Sequence, residues 1–309
     1  MLPNAVPLSF NIAGKVFLLG EYAVIAGRPA IVAAVSPRFR LSVGRDRAET
    51  IFHLESPASR LVRESGVSLP PLHFEDPHEG RGGFGASTAQ FALVYSALSR
   101  VSPGAFNWDW KSAWKLYRKL MKDSVLIPSG ADLVAQWQGG VVFFDPSQER
   151  CESPWRFFDW SRLLVFSASG QAGRKIATHE HLSALAKEGF PLRHEKLITS
   201  LERMTAAGAH ALRENDVLAL GLALDEYAET LSRADLELSA TRADREALRD
   251  LPGVCGVKGT GALQADGVLV LLEPDTSDRS RIIQAATSRG LVLIADGLKE
   301  EAGVSCGKS

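Results

Sequence analysis

The sequence predicts an α+β protein of two lobes, and three observations carry that prediction. Strand-type and helix-type patterns alternate in both halves of the 309 residues, as they do when helices and sheets pack in layers. With 45% hydrophobic and 23% charged residues, the chain can bury a sizeable core in one large domain or two smaller ones. A new strand-like run, "RLLVFSAS", opens a second unit around Ser161, so the lobes are expected at 1–158 and 159–309. There is no internal repeat and no low-complexity linker.

Taken in order, "VFLLGEYAVIAGRPAIVAAVSPRFRLSV" from Val16 to Val43 reads as short β runs interrupted by a Gly-Arg-Pro turn. The segment "LHFEDPHE" is polar and turn-like. After the glycine-rich stretch "GRGGFGASTA" (Gly80 to Ala89), "QFALVYSALSR" predicts a helix through about Ser99. "WDWKSAWKLYRKLMKD" repeats its aromatic and aliphatic residues at helical spacing, a pattern of core packing. "PSGADLVAQWQGGVVFFDP" gives a polar loop, a short helix and a strand. In the second half, helical patterns cover Ala184 to Asn215 and Val217 to Ser232. "GVLVLLEP", a helix near Ile282 to Ser288 and "LVLIAD" complete the chain.

Bulk properties exclude several function classes. A net charge of -1 with no Lys/Arg-rich block argues against a nucleic-acid surface. Cys151, Cys255 and Cys306 are odd in number and far apart, which suits reduced thiols in the cytoplasm. The start "MLPNAVPLSFNIAG" lacks the features of a secretory leader, and no run reaches about 18 apolar residues, so a soluble cytoplasmic protein with no membrane partner is expected.

The glycine loop is the first sign of chemistry. Bare backbone at a helix start admits an anion to unpaired N–H groups at the positive end of the helix. Gly80-x-Gly82-x-x-Gly85 fits a dinucleotide fingerprint, but no buried strand precedes it. Gly80 and Gly85 have Walker A spacing, yet Ala86 and Ser87 stand where Lys and Ser/Thr are required. A plain capping turn is the competing reading. Three further stretches stand out: Lys15 at a strand start with Glu21 after a Gly20 turn, Asp132 three residues after Ser129, and the small-residue turn "VKGTGALQADG". Solvated lysine, helix capping and a simple β-turn are their ordinary readings.

In this order and at these separations the stretches resemble the signatures of the GHMP kinases, the family of galactokinase, homoserine kinase, mevalonate kinase and phosphomevalonate kinase. "GKVFLLGEYAVIAGRPAIVAAV" looks like the first motif, "GGFGASTA" the second, "KGTGALQADG" the third, and "PSGADLVAQWQGG" the catalytic-Asp segment. The resemblance implies a ribosomal S5-like N-terminal lobe that binds ATP, and a ferredoxin-like C-terminal lobe that completes the substrate and nucleotide cleft. It implies ATP phosphates wrapped by Gly83, Gly85, Ala86, Ser87 and Thr88, Mg2+ on Ser87, Asp132 as base or orienter of the acceptor hydroxyl, and Lys15 as the counter-charge. Asp123 is the nearest acidic residue to stand in for the usual magnesium-binding Glu, which the chain lacks between Val101 and Phe144. Glu21, Tyr22, Ser129, Thr178, Gly261 and Ala262 fall at acceptor-side positions.

Two departures mark the chain: Ala86 replaces the first serine of the second motif, and Leu263-Gln264-Ala265 replace glycines of the third. Tyr22 and Asp266 make "GEYA" and "GALQAD" similar to phosphomevalonate kinases, with Arg174 and Lys175 in "SASGQAGRKIATHEH" as cations for an acceptor phosphate. Arg28 and Arg38 stand in reserve. Mevalonate kinase, another GHMP sugar or alcohol kinase, and a nucleotide-binding sensor without turnover are the alternatives, and a homodimer is left open.

Overall fold

The computed structural model describes residues 8–44, 50, 52–153, 155, 157–168, 174, 176–276 and 278–308. In the first half β1 (Leu8–Leu19) and β2 (Ala30–Val43) form a long antiparallel pair, with the 3₁₀ turn Ala23–Ala26 between them. There follow α1 (Pro57–Ser65), β3 (Leu72–Glu75), α2 (Ala86–Val101), α3 (Trp110–Leu120), α4 (Ala131–Gln138), β4 (Val141–Asp145) and β5 (Arg150–Glu152). The second half contains β6 (Leu163–Ser167), α5 (Thr178–Lys187), α6 (Glu195–Glu214), α7 (Val217–Arg233), α8 (Ser239–Arg249), β7 (Val254–Thr260), β8 (Gly267–Leu272), α9 (Arg279–Ser288), β9 (Val292–Asp296) and β10 (Ser305–Lys308).

Two antiparallel sheets organise the molecule. The first runs β10-β1-β2-β4-β5, with β3 paired to β2, and the second runs β7-β8-β6-β9. The α+β expectation holds. The last strand lies outside its own half: β10 returns to pair with β1, Leu8 facing Lys308 and Asn11 facing Ser305. Arg38 secures this return by donating to Gly303 O at 2.7 Å and Ala302 O at 2.8 Å.

Helix starts follow their local chemistry. Ser56, Asp109, Asp216 and Asp278 each accept an N–H from the first turn of the helix they precede. The aromatic stripe of α3 goes inward, Trp114 meeting Phe144 edge-on at 5.6 Å. The helical pattern expected from Ala184 to Asn215 is broken: α5 ends at Lys187 and α6 begins at Glu195, because Pro191 lacks an amide and Gly189 takes a left-handed φ of 90°. "LHFE", read as turn-like, is instead the short strand β3. α2 and α4 pack on β1, while α6 and α7 pack on each other and also reach β1, so one core runs through both halves. A smaller core under β6, β7, β8 and α9 holds Phe166, Val257, Val270 and Ile282. Among the described residues no helix is long and apolar enough to cross a membrane.

Candidate active site

A cavity of about 540 Å³ opens where β1, the glycine loop, the start of α4, α5 and the turn after β7 meet. Its position follows from β1. The Lys15 amide, in mid-strand, donates to Phe84 O at 3.1 Å and pins the glycine loop to the sheet. Phe84 itself is buried and stacks on the His78 ring at 4.4 Å. Gly85 then turns into α2 with a left-handed φ of 80°, a conformation that favours glycine. The first intrahelical bond is Ala89 N to Gly85 O, so the amides of Ala86, Ser87 and Thr88 precede the helical ladder, and Ala86 and Ser87 line the cavity.

Packing demands two more glycines of the loop, Gly82 and Gly83. A Cβ at Gly82 would come within 2.4 Å of Asp266 Oδ1, and one at Gly83 within 2.5 Å of Asp266 Cβ. The loop is bare on that side because Asp266 presses against it from the third motif. Burial pushes the Asp266 carboxyl up to about 6, while the charge of Lys15 and the Ala262 amide pull the other way.

α4 brings Asp132 to the cavity from a helix that is otherwise buried from Ala131 to Trp137. One turn on, fully buried Gln136 ties the site together. Its Nε2 donates to Ala13 O at 2.9 Å and Gly85 O at 3.3 Å, and its Oε1 accepts from Thr88 Oγ1 at 2.7 Å. Glu21, on the turn after β1, pairs with fully buried Lys258 of β7 at 2.5 Å. Burial pushes the Lys258 ammonium down and the Glu21 charge opposes it. The second Glu21 oxygen, Oε2, is buried and has no hydrogen-bond partner among the described residues.

Of the residues singled out from the sequence, Lys15, Glu21, Tyr22, Gly83, Gly85, Ala86, Ser87, Ser129, Asp132, Thr178, Gly261 and Ala262 meet at this cavity. Thr88 lies beneath it, 3% exposed, as a partner of Gln136. Asp123 is not brought in: it lies exposed in the turn after α3, away from the cavity lining. Arg174 is also elsewhere, because its guanidinium is buried against Asp244 of α8 and donates to Ala240 O at 3.2 Å. Lys175 falls outside the described residues. Of the reserves, Arg28 pairs with Glu195 and Glu202 on α6, and Arg38 holds the C-terminal return.

Sequence reasoning missed Asp266 as a site residue, together with Gln136, His181 and Lys258. Only Gln136 had a usable signal, four residues after Asp132 on the same helical face. Among the described residues there is no cluster of three or more His, Cys, Asp or Glu side chains able to hold a metal. The donor set suits a cation that takes one or two protein oxygens and fills its remaining positions from nucleotide phosphates and water, with Ser87 and Asp132 on the cavity wall.

No family profile matches the chain. It is 25% identical to a mevalonate kinase of Aeropyrum pernix, over 92% of this chain and 94% of that one. Among solved structures it resembles Streptococcus pneumoniae phosphomevalonate kinase in complex with phosphomevalonate and AMPPNP (15% identity, TM-score 0.70, 93% and 98% of the two chains). It also resembles Lactococcus lactis galactokinase complexed with galactose (13% identity, TM-score 0.71, 98% and 95%). These likenesses to solved structures show the fold, and the similarity to a mevalonate kinase, joined to the motifs that meet at the cavity, supports a relation to the GHMP kinases, a family of phosphotransferases.

Proposed function

We propose that the protein transfers the terminal phosphoryl group of ATP to a hydroxyl of mevalonate. The observation that carries this reading is the convergence of Lys15, Ser87 and Asp132 with the open first turn of α2 on one cavity. Phosphoryl transfer asks little more of a protein than in-line positioning and neutralisation of charge. The α2 amides and Lys15 meet the ATP phosphates, Ser87 contributes to magnesium, and Asp132 takes or orients the acceptor proton.

The charge of the lining supports mevalonate over phosphomevalonate as the acceptor. Among the described residues lining the cavity, Lys15 is the only lysine or arginine, set against Glu21, Asp132 and Asp266. Preference for phosphomevalonate rested on Tyr22 and Asp266 in "GEYA" and "GALQAD" and on Arg174 and Lys175 meeting an acceptor phosphate, and of these Arg174 is committed to Asp244. Mevalonate brings a single carboxylate, whereas phosphomevalonate adds a phosphate that this lining would repel. The similarity to a curated mevalonate kinase supports the same choice.

The test is ADP release from ATP and magnesium with mevalonate, phosphomevalonate, galactose or homoserine, for wild type and Asp132→Asn. We expect the highest kcat/KM with mevalonate and a loss of roughly 10²- to 10⁴-fold in kcat for the variant. Faster turnover of phosphomevalonate would refute the acceptor, and no turnover with any acceptor would favour a nucleotide sensor.

A further inference from the structure

Three segments distant in sequence meet at the hydroxyl of Tyr22. The Leu263 amide, in the turn after β7, donates to Tyr22 Oη at 2.8 Å, and Tyr22 Oη lies 3.1 Å from His181 Nε2 on α5. With the phenol oxygen accepting from the amide, its own proton is left to point to the imidazole, and we assign His181 the neutral tautomer with its lone pair on Nε2. The two rings meet edge-on at 5.9 Å, and Phe190, just beyond α5, packs edge-on against Tyr22 at 6.4 Å. Tyr22 is 4% exposed and has φ 61°, a left-handed conformation uncommon for a bulky residue. The turn is bent to put that ring in that place.

α5 has little else to hold it. Of its ten residues only Leu185 is buried, while Thr178, His179, His181, Leu182 and Ser183 form one wall of the cavity. A helix so lightly packed opens at low cost unless a specific contact retains it.

We propose that His181 is a positioning residue: with Tyr22 it latches α5 over the acceptor, and protonation of its ring releases the latch. The inference rests on the kinase reading above. A protonated His181 would turn an N–H toward Tyr22 Oη and leave the buried phenol proton without its acceptor. Burial lowers the His181 pKa from 6.5, with Glu188 at the end of α5 acting against it. From the other elements the ring faces Tyr22, and behind Tyr22 lie Glu21 and Asp266. A depressed histidine pKa makes the latch complete above pH 6.5 and weakens it as pH falls through the lower, latched value.

Asp266 titrates in the same window, so a pH profile of the wild type alone does not identify the group. KM for mevalonate and for ATP is therefore measured at pH 7.5 and 5.5 in wild type, Tyr22→Phe and His181→Gln. Hydrogen exchange over residues 178–187 is compared between wild type and Tyr22→Phe at one pH, with exchange in β6 and β8 reporting an intact fold. Loss of one or two hydrogen bonds predicts a mevalonate KM raised about three- to tenfold in Tyr22→Phe, an almost unchanged ATP KM, and faster exchange in α5. The wild type shows a similar rise on going to pH 5.5. His181→Gln, which keeps an acceptor oxygen that does not titrate, loses that rise. Unchanged α5 exchange in Tyr22→Phe, or a pH dependence that persists in His181→Gln, overturns the latch. If no acceptor is phosphorylated the kinase reading fails separately, and the exchange comparison still decides the latch.

Discussion

Replacing Gln136 by Leu keeps the volume of a fully buried side chain and removes its polar end, which makes it a direct test of how the phosphate loop is held. Three hydrogen bonds are lost: to Ala13 O at 2.9 Å, to Gly85 O at 3.3 Å, and from Thr88 at 2.7 Å. A neutral hydrogen bond nets about 0.5–1.5 kcal/mol, and the 3.3 Å contact belongs at the weak end. Thr88 recovers one bond by turning its hydroxyl to Gly85 O at 3.0 Å. The remainder is a loss of about 2 kcal/mol in stability, read from urea unfolding followed by circular dichroism. Because Gly85 starts α2, the ATP KM should rise more than the acceptor KM. Thr88→Val removes the donor of the shortest bond, so the double variant should cost less than the two singles together, by about 1 kcal/mol. A Gln136→Leu protein as stable as wild type, or strictly additive variants, would refute the claim that this side chain braces the loop.

Two further variants probe buried charge. Asp266 has a carboxyl raised from 3.8 to about 6, so its ionisation costs nothing below about pH 3.8 and destabilises progressively as pH rises through 6. Asp266→Asn should therefore stabilise the protein by on the order of 2 kcal/mol at pH 7.5 and hardly at pH 4, and a gain of equal size at both would remove the charge explanation. Arg174→Ala breaks a buried ion pair, leaving Asp244 with Arg289 at 2.6 Å as its remaining partner. We expect about 3 kcal/mol lower stability with acceptor KM within about twofold of wild type. A tenfold rise in that KM would return Arg174 to the acceptor.

What could be read in advance divides by how local it is. Lys15, Ser87 and Asp132 belong to short motifs whose spacing is fixed by a strand or a helix start, and all three reach the cavity. Arg174 and Asp123 were singled out by charge, and charge type does not reveal whether a side chain will be paired inward or left in solvent. Lys258 and His181 matter through partners that are, in turn, 237 and 159 positions away, a relation that no local pattern encodes, whereas Gln136 shares a helical face with Asp132. Two of the three residues read against glycines in the third motif are a similar case. Leu263 and Gln264 hold φ values of 51° and 56°, a region that favours glycine, and the Leu263 amide is occupied by Tyr22.

The pairing of β10 with β1 sets the order in which the enzyme can mature. Emerging from the ribosome, β1 precedes its partner Ser305–Lys308, so the outer edge of β1 stays open while everything between them is synthesised. A fragment ending near 158 would carry that open edge permanently and invite strand addition from other chains. Since Lys15 and the anchor of the phosphate loop both sit on β1, full rigidity at the phosphate site waits for β10 to dock. Nascent chains released early would then collapse without becoming competent kinases.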